Sequence, residues 1–245
     1  MKTAWYLGLA ANEIGDRAIL IGDPDRVDRI AALLADPVFH PVSRGLRSVT
    51  GSHGGKRITV SAFGMGAPIA TIVLHELADL GVRHFLRIGT AMYFPPAAGG
   101  EFLISDTAVG YDGTSPAYVT DGGPFAADKE LVAALEQAAA AAGWKARTGR
   151  YATFDAFYRD MFGIDEEGAA RATQNRTMLA SQEVMAVDME TSALLAAARA
   201  LGVACATLCL GTVDALKQEK LAPDALAKGE ALLFDIALAG LTAVG

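Results

Sequence analysis

Short apolar runs alternate with helical patterns along the 245-residue chain, and this alternation constrains the fold more than any other feature. Five runs have the length and composition of buried strands, namely 18–23, 57–63, 84–90, 101–109 and 203–211. Helical patterns lie between or after them, at 24–36, 68–81, 127–143, 190–202 and 223–241. Such an order predicts an α/β fold: a single domain over residues 1–245 with a central twisted mixed β-sheet flanked by helices.

The composition excludes several classes of partner. A formal net charge of −7 provides no basic face for nucleic acid. No apolar stretch approaches a membrane span and the N-terminus does not resemble a signal peptide, so we expect a cytoplasmic protein without a membrane partner. The two cysteines, Cys205 and Cys209, lack the spacing of a metal site, and we expect no metal. A charged fraction of only 20% favours a homo-oligomer that hides part of its surface.

The run "HFLRIGTAM" places a charged side chain, Arg87, in the middle of a predicted buried strand. A buried guanidinium is costly unless an anion or a set of acceptors satisfies it. A bound anion is the interpretation that we favour, and a structural pair with a buried acid is the alternative.

Other polar residues follow predicted strands at the edge where α/β folds bind ligands. They are Gly22, Arg26, Thr90, Glu190 and Asp214. The motif "SAFGMGAP" adds two glycines before a helix, whose first N–H groups favour an anion. Each of these residues also has a structural interpretation when it is considered singly. Arg26 would be an exposed helix residue, Glu190 an acid at a helix N-terminus, and Asp214 a cap for the segment that follows. Taken together, two arginines, a glycine turn and a threonine predict a phosphate site.

The order of "GDPDRV", "SAFGMGAP", "LRIGT", "VDMET" and "GTVD" resembles the nucleoside phosphorylase family, and overall the uridine phosphorylase type. The match extends nearly end to end, and "YDGTSPAY" and "FDAFY" fit it too. The resemblance implies a pentosyltransferase that splits the N-glycosidic bond of a nucleoside. Inorganic phosphate would be the co-substrate, with no other cofactor, and the products would be free base and ribose-1-phosphate.

The resemblance also implies roles for individual residues. Phosphate would be bound by Gly22, Arg26, Arg87 and Thr90, with Arg44 reaching it from a neighbouring subunit. The nucleoside would be bound by Tyr6, Met65, Phe157, Met189 and Glu190. Catalysis would depend on Arg87, Glu190 and Asp214. Active sites shared between subunits imply a dimer-based hexamer.

The chain departs from the uridine phosphorylase pattern at several positions. Tyr6 replaces a histidine, Ala91-Met92 alters the loop after Thr90, and Gly45 replaces an acid that ligates a monovalent cation, so we predict no such ion. Uridine phosphorylases read uracil with a glutamine and an arginine, and the corresponding positions here hold Met161 and Gly163. Arg159 or Asp160 are candidate substitutes. The stretch "QNR" at 174–176 is interpreted as an exposed turn.

These departures leave the base open. A uridine-type phosphorylase is favoured, and a purine nucleoside phosphorylase with Asp214 as the acid is the main alternative. A nucleosidase is less compatible, because nucleosidases of this family lack the full arginine set. A nucleoside-binding protein without catalytic activity is the remaining alternative.

Overall fold

In a computed structural model that describes residues 2–245, ten strands form one mixed sheet. The strands are β1 Arg17–Ile21, β2 Ala35–Phe39, β3 Ser48–His53, β4 Lys56–Ala62, β5 His84–Tyr93, β6 Phe102–Tyr111, β7 Phe125–Ala126, β8 Ala146–Phe154, β9 Val184–Asp188 and β10 Ala204–Asp214. The helices are α1 Asp25–Ala31, α2 Ala67–Asp79, α3 Ser115–Tyr118, α4 Lys129–Ala141, α5 Glu166–Ser181, α6 Thr191–Leu201 and α7 Pro223–Ala243. A π-helical turn spans Tyr158–Phe162.

The centre of the sheet is a ring of paired strands. β5 is parallel to β10 and to β1, β10 is antiparallel to β6, and β6 is parallel to β8. β8 is parallel to β9, which closes the ring by pairing antiparallel with the end of β5. The strands β4, β3 and β2 extend the sheet outward from β1. This arrangement confirms the predicted α/β class with a mixed sheet.

The buried strands follow the apolar runs of the sequence. All residues of β1 are buried, as expected for a strand between two parallel neighbours. Gly66, with φ of 104°, precedes α2, and Gly202, with φ of 65°, follows α6, where a side chain would be strained. No helix within residues 2–245 is long and apolar enough to cross a membrane.

Several elements differ from the expected pattern. The first predicted helix, 24–36, ends at Ala31, because the chain turns into the exposed edge strand β2. Strands β2, β3, β7 and β8 and helices α3 and α5 lie outside the predicted pattern, and β5 continues to Tyr93, so Ala91 and Met92 lie in a strand and not in a loop after Thr90. Helix α5 contains "QNR", so the interpretation of 174–176 as an exposed turn is wrong.

Candidate active site

A cavity of about 560 Å³ opens where the parallel strands β1, β4 and β5 end. The turn after β1 contributes Gly22 and Arg26 to its lining, and the turn after β4 contributes Gly64 and Met65. A Cβ on Gly22 would lie 2.8 Å from the carbonyl oxygen of Gly64, so these two turns approach each other closely only because residue 22 is glycine. The cavity therefore lies at the sheet edge that the sequence predicts.

Arg87 lies in β5 with its guanidinium beside two acids. Its Nη2 is 2.6 Å from Oε2 of Glu190, and its Nη1 is 3.2 Å from Oδ2 of Asp188 and also contacts Cys209. Burial lowers the pKa of Arg87, but Cys209, Asp188 and Glu190 outweigh it and the pKa is raised. The guanidinium therefore remains charged. Arg87 is paired with buried acids, as the structural alternative predicts, and it also lines the cavity.

Gly89 makes room for this guanidinium. A Cβ at position 89 would lie 3.2 Å from Cζ of Arg87, closer than an ordinary contact. Both residues line the cavity. Glycine in "LRIGT" is thus explained by packing, because the Arg87 side chain lies against it.

Glu190 begins helix α6 but does not cap it. One of its carboxylate oxygens accepts from the backbone N–H of Gly66 at 2.8 Å, and the other accepts from Arg87. Burial raises the pKa of Glu190, and Arg87 opposes this effect. The carboxylate is held from two sides at the cavity wall, so it has little freedom to reorient.

Asp188, two residues earlier, supplies the cap that Glu190 does not. Its Oδ1 accepts from the backbone N–H groups of Glu190 and Thr191 at 3.2 and 3.1 Å, and from the Thr153 hydroxyl at 2.9 Å. Its Oδ2 accepts from the Thr191 hydroxyl at 2.5 Å. Asp188 therefore fixes both the start of α6 and the position of Arg87.

Arg26 is oriented by an acid in the C-terminal helix α7. Its Nη2 donates to Oε1 of Glu230 in α7 at 2.6 Å, while Arg29 contacts the other oxygen of Glu230 at 2.7 Å. Asp23 is more distant, with its Oδ2 3.7 Å from Nε of Arg26. The side chain is largely buried, so its interpretation as an ordinary exposed helix residue is wrong.

Each of the two cavity-lining arginines has a buried Nε–H group without a hydrogen-bond partner among the described residues. Nε of Arg26 and Nε of Arg87 are buried, and neither has a hydrogen-bond partner within residues 2–245. Buried N–H donors without an acceptor are rare in folded proteins. An anion in the cavity offers acceptors of the kind that both donors lack.

The structure brings most of the predicted site residues to this one cavity. Lining it are Gly22, Met65, Thr90, Phe157, Met189 and Glu190, together with both arginines. Met65 is 82% exposed and therefore lies at the mouth of the cavity.

Tyr6 and Arg44 do not line the cavity in a single chain, but they contact each other. Cζ of Arg44 lies 4.8 Å from the centre of the Tyr6 ring, a cation–π distance. Arg44 has φ of 53° in a tight turn, a left-handed conformation that is costly for residues other than glycine.

Asp214 at the end of β10 is not among the cavity-lining residues, although Thr212 and Val213 are. Its Oδ1 accepts from the backbone N–H groups of Leu216 and Lys217 at 2.8 and 2.9 Å. This geometry is that of a cap for the following turn. A catalytic role for Asp214 stays a prediction.

The candidate substitutes for the uracil readers have structural partners. Arg159 pairs with Asp165 at 2.7 Å, and Asp160 is buried and pairs with Arg171 at 2.5 Å. Neither residue lines the cavity.

Sequence reasoning missed Asp188, Thr212 and Glu230. The signal for Glu230 is an acid on the same helical stripe as Leu233 and Phe234, which are buried. Thr212 lies at an irregularity in β10, where the register with β5 shifts between Gly211 and Val213. Such bulges re-aim side chains and have no clear sequence signal.

Within residues 2–245, no group of three or more His, Cys, Asp or Glu side chains is arranged to hold a metal ion. The acids that line the cavity, Asp23, Asp188 and Glu190, are instead paired with Arg26 or Arg87, and the cysteine beside Arg87 is fully buried.

The chain matches the family model described as "Phosphorylase superfamily" over residues 16–236, and it belongs to that family. Uridine phosphorylase of Escherichia coli K12 is 32% identical over 221 residues, which cover 88% of this chain and 87% of the relative. Uridine phosphorylase of Haemophilus influenzae is 35% identical, with 89% of each chain covered. A DeoD-type purine nucleoside phosphorylase of Oceanobacillus iheyensis is 30% identical, with 80% of this chain and 81% of the relative covered. The resemblance noted from the motifs is thereby confirmed.

Proposed function

We propose that this protein is a phosphate-dependent nucleoside phosphorylase, with the uridine type favoured. The enzyme would convert a nucleoside and inorganic phosphate to free base and ribose-1-phosphate. The observation that carries the proposal is the pair of buried Nε–H donors on Arg26 and Arg87 at one cavity. The relatives named uridine phosphorylase, which cover most of the chain, support the nucleoside as the other substrate.

Phosphate would bind at the arginine end of the cavity. Arg26 and Arg87 supply positive charge, Thr90 supplies a hydroxyl, and the glycine turn at Gly22 lets the backbone approach the ligand. No metal ion and no cofactor beyond phosphate are part of the proposal.

The ribose would lie over Met189, with its hydroxyls at Glu190. The bond between C1′ and the base nitrogen breaks with its electron pair going to the base, and positive charge develops at C1′. A phosphate oxygen beside C1′ stabilises this charge and forms the new C–O bond, and the proton that hydrogen phosphate loses in this step is taken up by the base, directly or through water. Glu190 is suited to fix the ribose because Gly66 and Arg87 already hold its carboxylate.

A second copy of the chain would complete the site. Tyr6 and Arg44 lie together outside the cavity, where a neighbouring subunit could use them. The side chains of Trp5, Phe39 and Val42 are exposed and apolar, as in the core of a homodimer interface. We therefore propose a homo-oligomer, built from dimers into a hexamer, in which Arg44 of one copy reaches the phosphate of the next. Cytoplasmic localisation stays a prediction.

Purine nucleosides are the second candidate substrates, and the purine phosphorylase among the relatives supports them. The deciding experiment assays uridine, thymidine, inosine and adenosine with and without phosphate. We expect cleavage of at least one nucleoside, strictly dependent on phosphate, with ribose-1-phosphate as product. Cleavage that continues unchanged without phosphate would identify a nucleosidase. Thermal stabilisation by nucleoside without any product would indicate a binding protein.

A further inference from the structure

Five residues along β5 from Arg87, the cavity is lined by an apolar wall, defined by Met92, Phe157, Val187 and Val213. All four residues line the cavity. They also belong to one hydrophobic cluster that is separate from the main core of the protein. Met161, which is fully buried, is in the same cluster.

The backbone around this wall is engaged in the sheet. Met92 is paired with Val187 across β5 and β9, and with Val213 across β5 and β10. On either side, the N–H of Phe94 donates to the carbonyl of Met185 at 2.9 Å, and the N–H of Ala215 donates to that of Tyr93 at 2.9 Å. The main chain therefore offers few free groups to a base.

The polar side chains around the wall are mostly occupied as well. Although distant from the wall in sequence, Asn175 and Arg176 in α5 reach the π-helical turn that follows Phe157, where they donate to the carbonyls of Asp160 and Met161 at 2.9 and 2.6 Å. The hydroxyl of Thr212 lines the cavity next to Val213 and makes one long contact of 3.5 Å to the carbonyl of Ala91. The other polar lining residue that adjoins the wall is Asp188, next to Val187, and its two carboxylate oxygens already accept from Thr153, Glu190 and Thr191.

We infer that this wall is the base subsite and that it recognises a base by shape and apolar contact, not by hydrogen bonds to its imide edge. The inference rests on the proposed function and names its substrate class: nucleosides whose base tolerates alkylation at the edge that pairs in nucleic acids. A subsite built to hydrogen-bond that edge would reject an alkylated base by about 10⁴-fold or more, because its polar groups would be left without partners. An apolar wall carries no such penalty, and one added methyl group in contact with it gains up to about fourfold.

The test compares uridine with 3-methyluridine, in which a methyl group replaces the N3 proton, at saturating phosphate. We expect the two values of kcat/KM to agree within about fivefold. A loss of more than about 100-fold for 3-methyluridine would overturn the inference.

Two variants separate shape from polarity. Phe157→Ala should lower kcat/KM for both nucleosides by the same factor, about tenfold or more, since it removes wall area and no polar group. Thr212→Val removes the adjoining hydroxyl at nearly constant volume and should leave the ratio of the two nucleosides unchanged. A ratio that changes tenfold or more in Thr212→Val would mean that this hydroxyl reads the base edge, against the inference.

Failure of the proposed function gives a different result. If no nucleoside is cleaved with phosphate, the phosphorylase proposal fails, and thermal shifts with uridine and 3-methyluridine then test the wall directly. Equal stabilisation by both supports the apolar subsite. Stabilisation by uridine alone overturns it.

Discussion

The two ends of the cavity are built by opposite means. At one end, Arg87 is held by Glu190 and Asp188, and Arg26 is held by Glu230, so charged groups are fixed by other charged groups. At the other end, the apolar wall is fixed by packing within a small hydrophobic cluster. The charged end holds its geometry by directional contacts and tolerates little change. The apolar wall is set by volume, and it can change by repacking.

The largest expected effect at the charged end is that of Arg87→Ala. Removing this guanidinium leaves Glu190 and Asp188 buried without their partner, which costs about 3–5 kcal/mol in the free energy of unfolding. Urea denaturation measures that loss, and the exposed Arg199→Ala is the control, expected within about 0.5 kcal/mol. Unchanged stability would show that the pair with two acids does not hold this end together.

Next in size is Glu190→Gln. The amide keeps the shape but removes the negative charge beside the developing positive ribose, so kcat should fall by about 10²–10³-fold. Steady-state kinetics with uridine measure this fall in kcat. The control is Glu167→Gln, which changes an exposed acid that pairs with Arg159 and should leave kcat unchanged. An equal loss in kcat and in the affinity for free base would argue against a role at the ribose.

A smaller effect is expected for Glu230→Gln. The neutral amide orients Arg26 less firmly, and the phosphate KM should rise about tenfold while kcat stays within about twofold. Arg29→Ala keeps the contact between Arg26 and Glu230 and should raise the phosphate KM less. A fall in kcat with an unchanged phosphate KM would place Arg26 outside the phosphate site.

The smallest effect is expected for Asp214→Asn at the edge of the apolar wall. The amide oxygen can still accept from Leu216 and Lys217, so the loss of stability should be at most about 1 kcal/mol. The ratio of kcat/KM for inosine to that for uridine should stay within about twofold. A selective tenfold loss with inosine would assign Asp214 the role of the acid for purines.

The sequence predicts the charged end better than the apolar one for a physical reason. Gly22 stands in the turn after β1, and Arg87 and Thr90 both lie in β5, where an arginine in an apolar run is visible in a single segment. The wall combines β5, β9, β10 and the π-helical turn, so no local pattern reveals it. The bulge at Thr212 is likewise not visible in a local pattern. The same holds for the contact of Arg26 with Glu230, which is 204 positions away in sequence.

Gly89, which has no side chain, determines where the charged guanidinium of Arg87 can lie. Because the Arg87 guanidinium lies over its Cα, even a methyl group there would push the guanidinium by a few tenths of an ångström. Gly89→Ala would then weaken the anion site while leaving every ionisable group in the protein unaltered. In a mutational scan, replacements at either of the two positions would therefore damage the same anion site.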